Sequence, residues 1–254
     1  MIIDADTHIS PFQEAGRIQV EELIKRMDFA KVDKAIAWLQ PHYFRDVELG
    51  NRYIYESMRN FPKRILGFGW VDPHYGVDKA KDVVLRCVEE YGFDGIKLNG
   101  AQNEFYIDHE DSSIPIIEEV VRLRKVLAFH IGTDAYEATH PFRLAKIAER
   151  FPDTPILAVH MGGVAHADLS NAMIEISEKF NNIFLVGSSV KTRAILKAIQ
   201  ILSPARVCFG SDTPFELMHV ELARYQALLE SEISVQSKAL VMGGNIASLL
   251  NLPD

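Results

Sequence analysis

Five residues of this sequence have the side-chain types and spacing to surround a cation, Asp6, His8, His130, His160 and Asp212, and Lys97 is placed to share their rim. Asp6 and His8 stand two residues apart in the short apolar run IIDADTH (2–8). In an extended strand that spacing puts both on one face, roughly 6–7 Å apart, so that both can reach one ion. His130 lies in VLAFHIG (126–132), His160 in PILAVHM (155–161), and Asp212 closes RVCFGSD (206–212). Lys97, in phase with Asn99, belongs to DGIKLN (94–99). A carboxylate or imidazole in an interior is costly unless paired or coordinated, and a divalent cation supplies the missing charge. Nitrogen and carboxylate donors without a thiolate suit zinc, manganese or ferrous iron better than calcium.

Each residue alone has a plainer explanation. A strand histidine is more often a core residue bonded to a carbonyl than a ligand. Asp6 and His8 could form a buried ion pair, and Asp212 could cap the turn before Thr213-Pro214. What favours a site is that all of them end their segments in the same way. The Gly162-Gly163 pair after His160 further suggests close backbone approach to a ligand. Of the other histidines, His109, His140, His166 and His219 sit in loop or helix-start contexts that exposure explains. His42 and His74 follow the second and third runs and are candidates for touching substrate.

The segments carrying these residues recur along the chain. Further short apolar runs are KAIAWLQ (34–40), ILGFGWV (65–71) and IFLVGSS (183–189), which makes eight. Between them lie stretches with helical spacing, such as Val20, Leu23, Ile24 and Met27, then Met173, Ile176 and Phe180, then Leu196, Ile199 and Leu202. Strict alternation of this kind predicts parallel strands with right-handed crossovers, closed as a (β/α)8 barrel or laid out as an open doubly wound sheet. No run is followed by the G-x-G-x-x-G turn of a dinucleotide site. The polar residues also lie at many strand ends rather than beside one crevice, and this favours the barrel, whose C-terminal rim carries the site.

Composition sets the outer limits. The chain has 254 residues, 48% of them apolar and 24% charged, which is globular and neither disordered nor low in complexity. No linker divides it, so residues 1–254 read as one domain. Its net charge of −8 argues against nucleic acid or an anionic membrane as partner. No apolar run approaches the ~18 residues of a membrane span, and MIIDADTHIS has neither the basic start nor the cleavage site of a signal peptide. A cytoplasmic protein acting on a small molecule is expected, with a homodimer as the commonest assembly. Cys87 and Cys208 are too few for a disulfide framework or a cysteine zinc site.

Several segments together resemble the amidohydrolase superfamily, in particular the amidohydrolase-related (amidohydrolase 2) group of metal-dependent barrel enzymes. They are IIDADTH, GFDGIKL (92–98), LAFHIG (127–132), LAVHMGG (157–163), RVCFGSDTPF (206–215) and MGGNIASLLNL (242–252). The resemblance implies a distorted (β/α)8 barrel with one catalytic metal, sometimes two, zinc being expected here and manganese or iron alternatives. It implies Asp6, His8, His130 and Asp212 as ligands, and His160 beside the metal as acid/base or further ligand. One departure concerns the start, where the family usually has His-x-His and this chain has Asp6-Thr7-His8. Members with a carboxylate there include non-oxidative decarboxylases with Glu-x-His. In binuclear members the lysine of the fourth strand is carbamylated, but in this branch Gly-Ile-Lys-Leu is common without that role. Lys97 is therefore expected as a free cation on a substrate carboxylate, or paired with a nearby acid.

The leading expectation is a hydrolase, in which metal-activated water attacks a C–O or C–N bond of a lactone, ester or amide. Asp212 would serve as the base and His160 would stabilise the oxyanion. Two alternatives keep the barrel. One is a metal-dependent decarboxylase or hydratase acting on an aromatic or unsaturated acid; the other is a barrel that binds metal without catalysis. The loops 40–45 and 99–113 carry Tyr43, Phe44, Phe105 and Tyr106, aromatic residues suited to packing a planar substrate.

Overall fold

The chain was described from a computed structural model, which covers residues 1–40, 46–164 and 169–253. His42, Tyr43, Phe44 and His166, singled out in the sequence, lie outside these residues. Eight parallel strands form one sheet in sequential order: β1 (Ile3–Ile9), β2 (Lys34–Leu39), β3 (Ile65–Trp70), β4 (Gly95–Leu98), β5 (Val126–Gly132), β6 (Ile156–Val164), β7 (Ile183–Val186) and β8 (Val207–Cys208). Around them run α1 (Val20–Ala30), α2 (Val47–Asn60), α3 (Val77–Leu85), α4 (Gly100–Asn103), α5 (Ser113–Arg122), α6 (Pro141–Arg150), α7 (Ser170–Lys179), α8 (Thr192–Leu202) and α9 (Met218–Glu232), with α10 (Val235–Ala239) and α11 (Asn245–Leu249) at the end. This is the (β/α)8 barrel that the alternation predicts. No helix among the described residues is long and apolar enough to cross a membrane. Cys87 and Cys208 are buried and free.

Closure between the last strand and the first departs from a regular ladder. β8 is two residues long, although a seven-residue run was expected, because the segment after it bonds to β1 in a different way. Ala5 N donates to Phe209 O at 2.9 Å, Asp212 N to Asp6 O at 2.9 Å and His8 N to Thr213 O at 2.7 Å. The side chain of Asp4 replaces a ladder carbonyl, its Oδ1 accepting from Ser211 N at 2.8 Å. Asp6 and Asp212 are thus drawn together by the bond that closes the cylinder.

The helical spacings place α1 correctly, with Val20, Leu23 and Met27 buried, but misplace the stripe of α8. There Ile195, Ala198 and Ile199 face the barrel, whereas Leu196 and Leu202 are only partly covered. The loop 99–113 contains α4, whose first turn is capped by Asn99 Oδ1 accepting from the Ala101 and Gln102 amides. Phe105 is buried there and Tyr106 exposed.

Glycines inside the barrel make room for aromatic rings. A methyl group added at Gly95 would lie 2.1 Å from Phe68 Cε1, and Phe68 is fully buried. Overpacking of this kind costs about 1–3 kcal/mol. Gly95→Ala is therefore expected to lower the free energy of unfolding by that amount, seen as a lower urea midpoint at an unchanged m-value, and a midpoint equal to that of the parent would contradict the packing described.

Candidate metal centre

β1, β6 and the segment after β8 bring Asp6, His160 and Asp212 into one buried group, with a ligand atom of each within 4.8 Å of the others. His8 joins them: its Nε2 lies 3.4 Å from Asp6 Oδ1 and 3.6 Å from Asp212 Oδ1. The backbone turns sharply where these side chains leave it. His160 (φ 65°), Ser189 (φ 54°) and Asp212 (φ 60°) are left-handed, a conformation that costs a non-glycine residue roughly 1–2 kcal/mol and clusters at functional sites. The backbone of Asp212 does cap a turn, its carbonyl accepting from Phe215 N at 2.9 Å, but its side chain faces the cluster.

The histidine tautomers follow from their partners. His8 Nδ1 donates to Leu39 O at 3.0 Å, and the Trp38 indole Nε1–H donates to His8 Nε2 at 3.1 Å. A nitrogen that accepts carries no proton, so His8 Nε2 is unprotonated; its lone pair takes the Trp38 N–H, and two carboxylate oxygens lie beside it. His160 Nδ1 donates to Ser188 O at 3.2 Å, leaving its Nε2 as the acceptor. Ser188 Oγ in turn donates to Asp6 Oδ2 at 2.5 Å, and Ser189 Oγ to Asp212 Oδ2 at 2.5 Å.

The charge states point the same way. Burial first, then the Lys97 charge, push His8 toward its neutral form against the pull of Asp6 and Asp212. Burial is also the main cause holding His130 and His160 down. Asp6 is pushed up by burial, yet Lys97, His8 and His160 together hold it below the usual carboxylate range. Asp212 is raised to about 6, by burial first and by the Asp6 charge second.

Lys97 is fully buried beneath the cluster. Its ammonium sits 3.6 Å from Asp6 Oδ1 and 3.6 Å from the centroid of the Trp38 ring, with Trp70 on another side at 5.5 Å. It thus faces the Asp6 carboxylate. His130 packs edge-on against His160, ring centroids 4.6 Å apart, but its Nε2 bonds Asp134 and it stands outside the three-residue group. The Gly162-Gly163 pair serves the chain itself: added methyl groups would lie 3.0 Å from Leu169 O and 2.5 Å from Val190 Cγ1.

These residues fit a divalent cation. Asp6 Oδ1 and Asp212 Oδ1 both lie within 3.6 Å of the unprotonated His8 Nε2, Asp6 Oδ1 is buried without a hydrogen-bond partner, and the single ammonium of Lys97 stands against the charge of two carboxylates. A hollow of 390 Å³ between α7 and α8, lined by Lys191, Arg193 and Lys197 among others, contains none of the cluster.

The sequence reading passed over Ser188, Ser189, Trp38 and Asp134. It also passed over Asp4, whose carboxyl is raised to about 7 chiefly by burial. Asp4 was readable, since Asp4, Asp6 and His8 alternate along β1. His74 lies after β3 with Nδ1 bonded to Asp72 Oδ1 at 2.8 Å.

Comparison with known proteins gives the class. The amidohydrolase family matches residues 3–252, and the chain belongs to that family. Similar solved structures include 2,6-dihydroxybenzoate decarboxylase from Rhizobium (19% identity, TM-score 0.75, covering 99% of this chain and 98% of that one). A dihydroxybenzoic acid decarboxylase from Polaromonas with bound manganese is similar at 19% identity, TM-score 0.76, 99% and 97% coverage. So is 4-oxalomesaconate hydratase from Rhodopseudomonas palustris at 17% identity, TM-score 0.74, 99% and 96% coverage.

A cation held in the folded state alone stabilises it by about 2.7 kcal/mol at a hundred times its dissociation constant. Manganese added to chelator-treated protein is therefore expected to raise the melting temperature with concentration, and Asp6→Asn to abolish that rise. A melting temperature indifferent to manganese would contradict the assignment.

Proposed function

We propose that this protein is a metal-dependent lyase, a non-oxidative decarboxylase of hydroxylated aromatic acids, with Asp6, His8, His130 and Asp212 holding one divalent cation and His160 beside it. The observation that carries this reading is the convergence of Asp6, His8, His160 and Asp212 in one group, each of them less than a tenth exposed. Decarboxylation turns a charged carboxylate into neutral carbon dioxide, which desolvation of that carboxylate among buried side chains favours. Support also comes from the structural likeness to decarboxylases, one with manganese, and from a carboxylate at the first ligand position. The hydrolysis expected from the sequence has less support than this alternative.

When bound, the cation would supply positive charge that draws a substrate carboxylate and a neighbouring oxygen to the cluster. This chain's side chains account for the rest. Lys97 holds Asp6 in place from below. Trp38 and Trp70 flank His8 with ring centroids 5.9 and 6.4 Å away, both buried, while Phe215, at 5.4 Å and 57% exposed, is the ring left for a planar substrate to meet. Asp212, steadied by Ser189, delivers a proton to the ring carbon. The bond from that carbon to the carboxylate then breaks, its electron pair returns to the ring, and carbon dioxide leaves. Asp212 ends as a carboxylate and regains its proton from solvent. His160 orients the substrate through its unprotonated Nε2.

The donor set suits manganese or zinc, and manganese is the first ion to try. Manganese-loaded protein is expected to release carbon dioxide from a dihydroxybenzoate, and Asp212→Asn to lower kcat about 10²-fold or more, with metal content measured alongside. Cleavage of lactones or esters without carbon dioxide release would overturn the decarboxylase reading in favour of hydrolysis.

A further inference from the structure

We propose that Asp134 is a positioning residue of the metal centre: by accepting the Nε2–H of His130, it makes Nδ1 the nitrogen with which His130 meets the cation. This rests on the reading of His130 as a ligand.

Both oxygens of Asp134 lie 2.9 Å from His130 Nε2. An ionised carboxylate only accepts hydrogen bonds, so the proton of the pair sits on Nε2, and a neutral imidazole protonated there carries its lone pair on Nδ1. The other two histidines are fixed through the opposite atom. His8 and His160 each donate Nδ1–H to a backbone carbonyl, Leu39 O and Ser188 O, and keep Nε2 as acceptor. A carbonyl is held by its strand and is neutral. A carboxylate is charged, fixes the ring and raises the basicity of the far nitrogen, as in carboxylate–histidine–metal arrangements.

The neighbourhood is shaped for this contact. Asp134 lies two residues beyond β5 and folds back over the strand end. A methyl group added at Gly132 would come within 2.9 Å of Asp134 Oδ1, so glycine there leaves the carboxylate its room. The His160 ring, edge-on at 4.6 Å, blocks His130 on another side. The Asp134 side chain is 37% exposed and fills no core space, so its replacement leaves the fold standing.

The test uses full-length Asp134→Leu, Asp134→Asn and His130→Ala. The ring nitrogens of His130 are followed by NMR in metal-free protein, and manganese affinity by titration. The parent is expected to show His130 protonated on Nε2. Asp134→Leu should lose that tautomer and weaken manganese binding about 10- to 100-fold, the usual effect of removing such a partner. Asp134→Asn, whose amide oxygen still accepts, should keep the tautomer and bind manganese more tightly than the leucine variant. Unchanged tautomer and affinity in Asp134→Leu would overturn the proposal. So would an Asn variant that keeps the tautomer yet binds as weakly as the Leu variant, since Asp134 would then be a ligand itself. If His130→Ala binds manganese like the parent, the reading of His130 as a ligand fails. Binding that His130→Ala weakens and Asp134→Leu does not removes the Asp134 proposal alone.

Discussion

Two buried carboxylates crowded against an unprotonated imidazole nitrogen, with a single ammonium beside them, are the constraint on which the rest of this barrel depends. His8 Nε2 already accepts from Trp38, and it faces Asp6 Oδ1 and Asp212 Oδ1 at 3.4 and 3.6 Å. Removing ions from water costs several kcal/mol each even after relaxation, and opposite charge repays that only when the geometry is good. Lys97 offsets part of the cost from below, at 3.6 Å from Asp6. It cannot balance both carboxylates. A divalent cation at the point of convergence would turn mutual repulsion into coordination, and this is the physical case for the site.

The fold is arranged to hold that convergence rigid. The bonds that close the barrel, Asp212 N to Asp6 O and His8 N to Thr213 O, are also the bonds that set the ligands side by side. Ser188 and Ser189, on the segment after β7, steady Asp6 and Asp212, and Ser188 also receives His160. A loss of closure and a loss of the site would therefore be one event. Asp4 serves the same seam, bonding the amides of Asp6 and Ser211.

Much of this was legible in the sequence because strands of a parallel barrel are short, apolar and punctuated by polar ends. β5 spans the expected 126–132, and Asp6, His8, Lys97, His160 and Asp212 do meet at one rim. What stayed hidden is what depends on backbone that leaves the strand. The left-handed turns at His160, Ser189 and Asp212 decide where those side chains aim, and a non-glycine residue takes each of them, although the one at His160 runs on into Gly162 (φ 81°). Partners such as Ser188, Asp134 and Trp38 come from other strands or loops and have no spacing of their own. The shortness of β8 was unreadable for the same reason, since a side chain, Asp4, stands in for a ladder bond. In α8 the expected stripe holds at Ile199 but not at Leu196, whose place facing the barrel Ile195 takes, because Leu and Ile occupy both faces of that helix.

The central claim is that one cation occupies the meeting point of these side chains. Crystals grown with manganese and measured at its absorption edge address it without reference to any substrate. The account predicts a single strong anomalous peak within coordination distance, about 2.0–2.2 Å, of Asp6, His8 and Asp212, with His130 and His160 beside it. A peak lodged only among surface carboxylates, or an empty rim in protein that carries stoichiometric manganese, would contradict it.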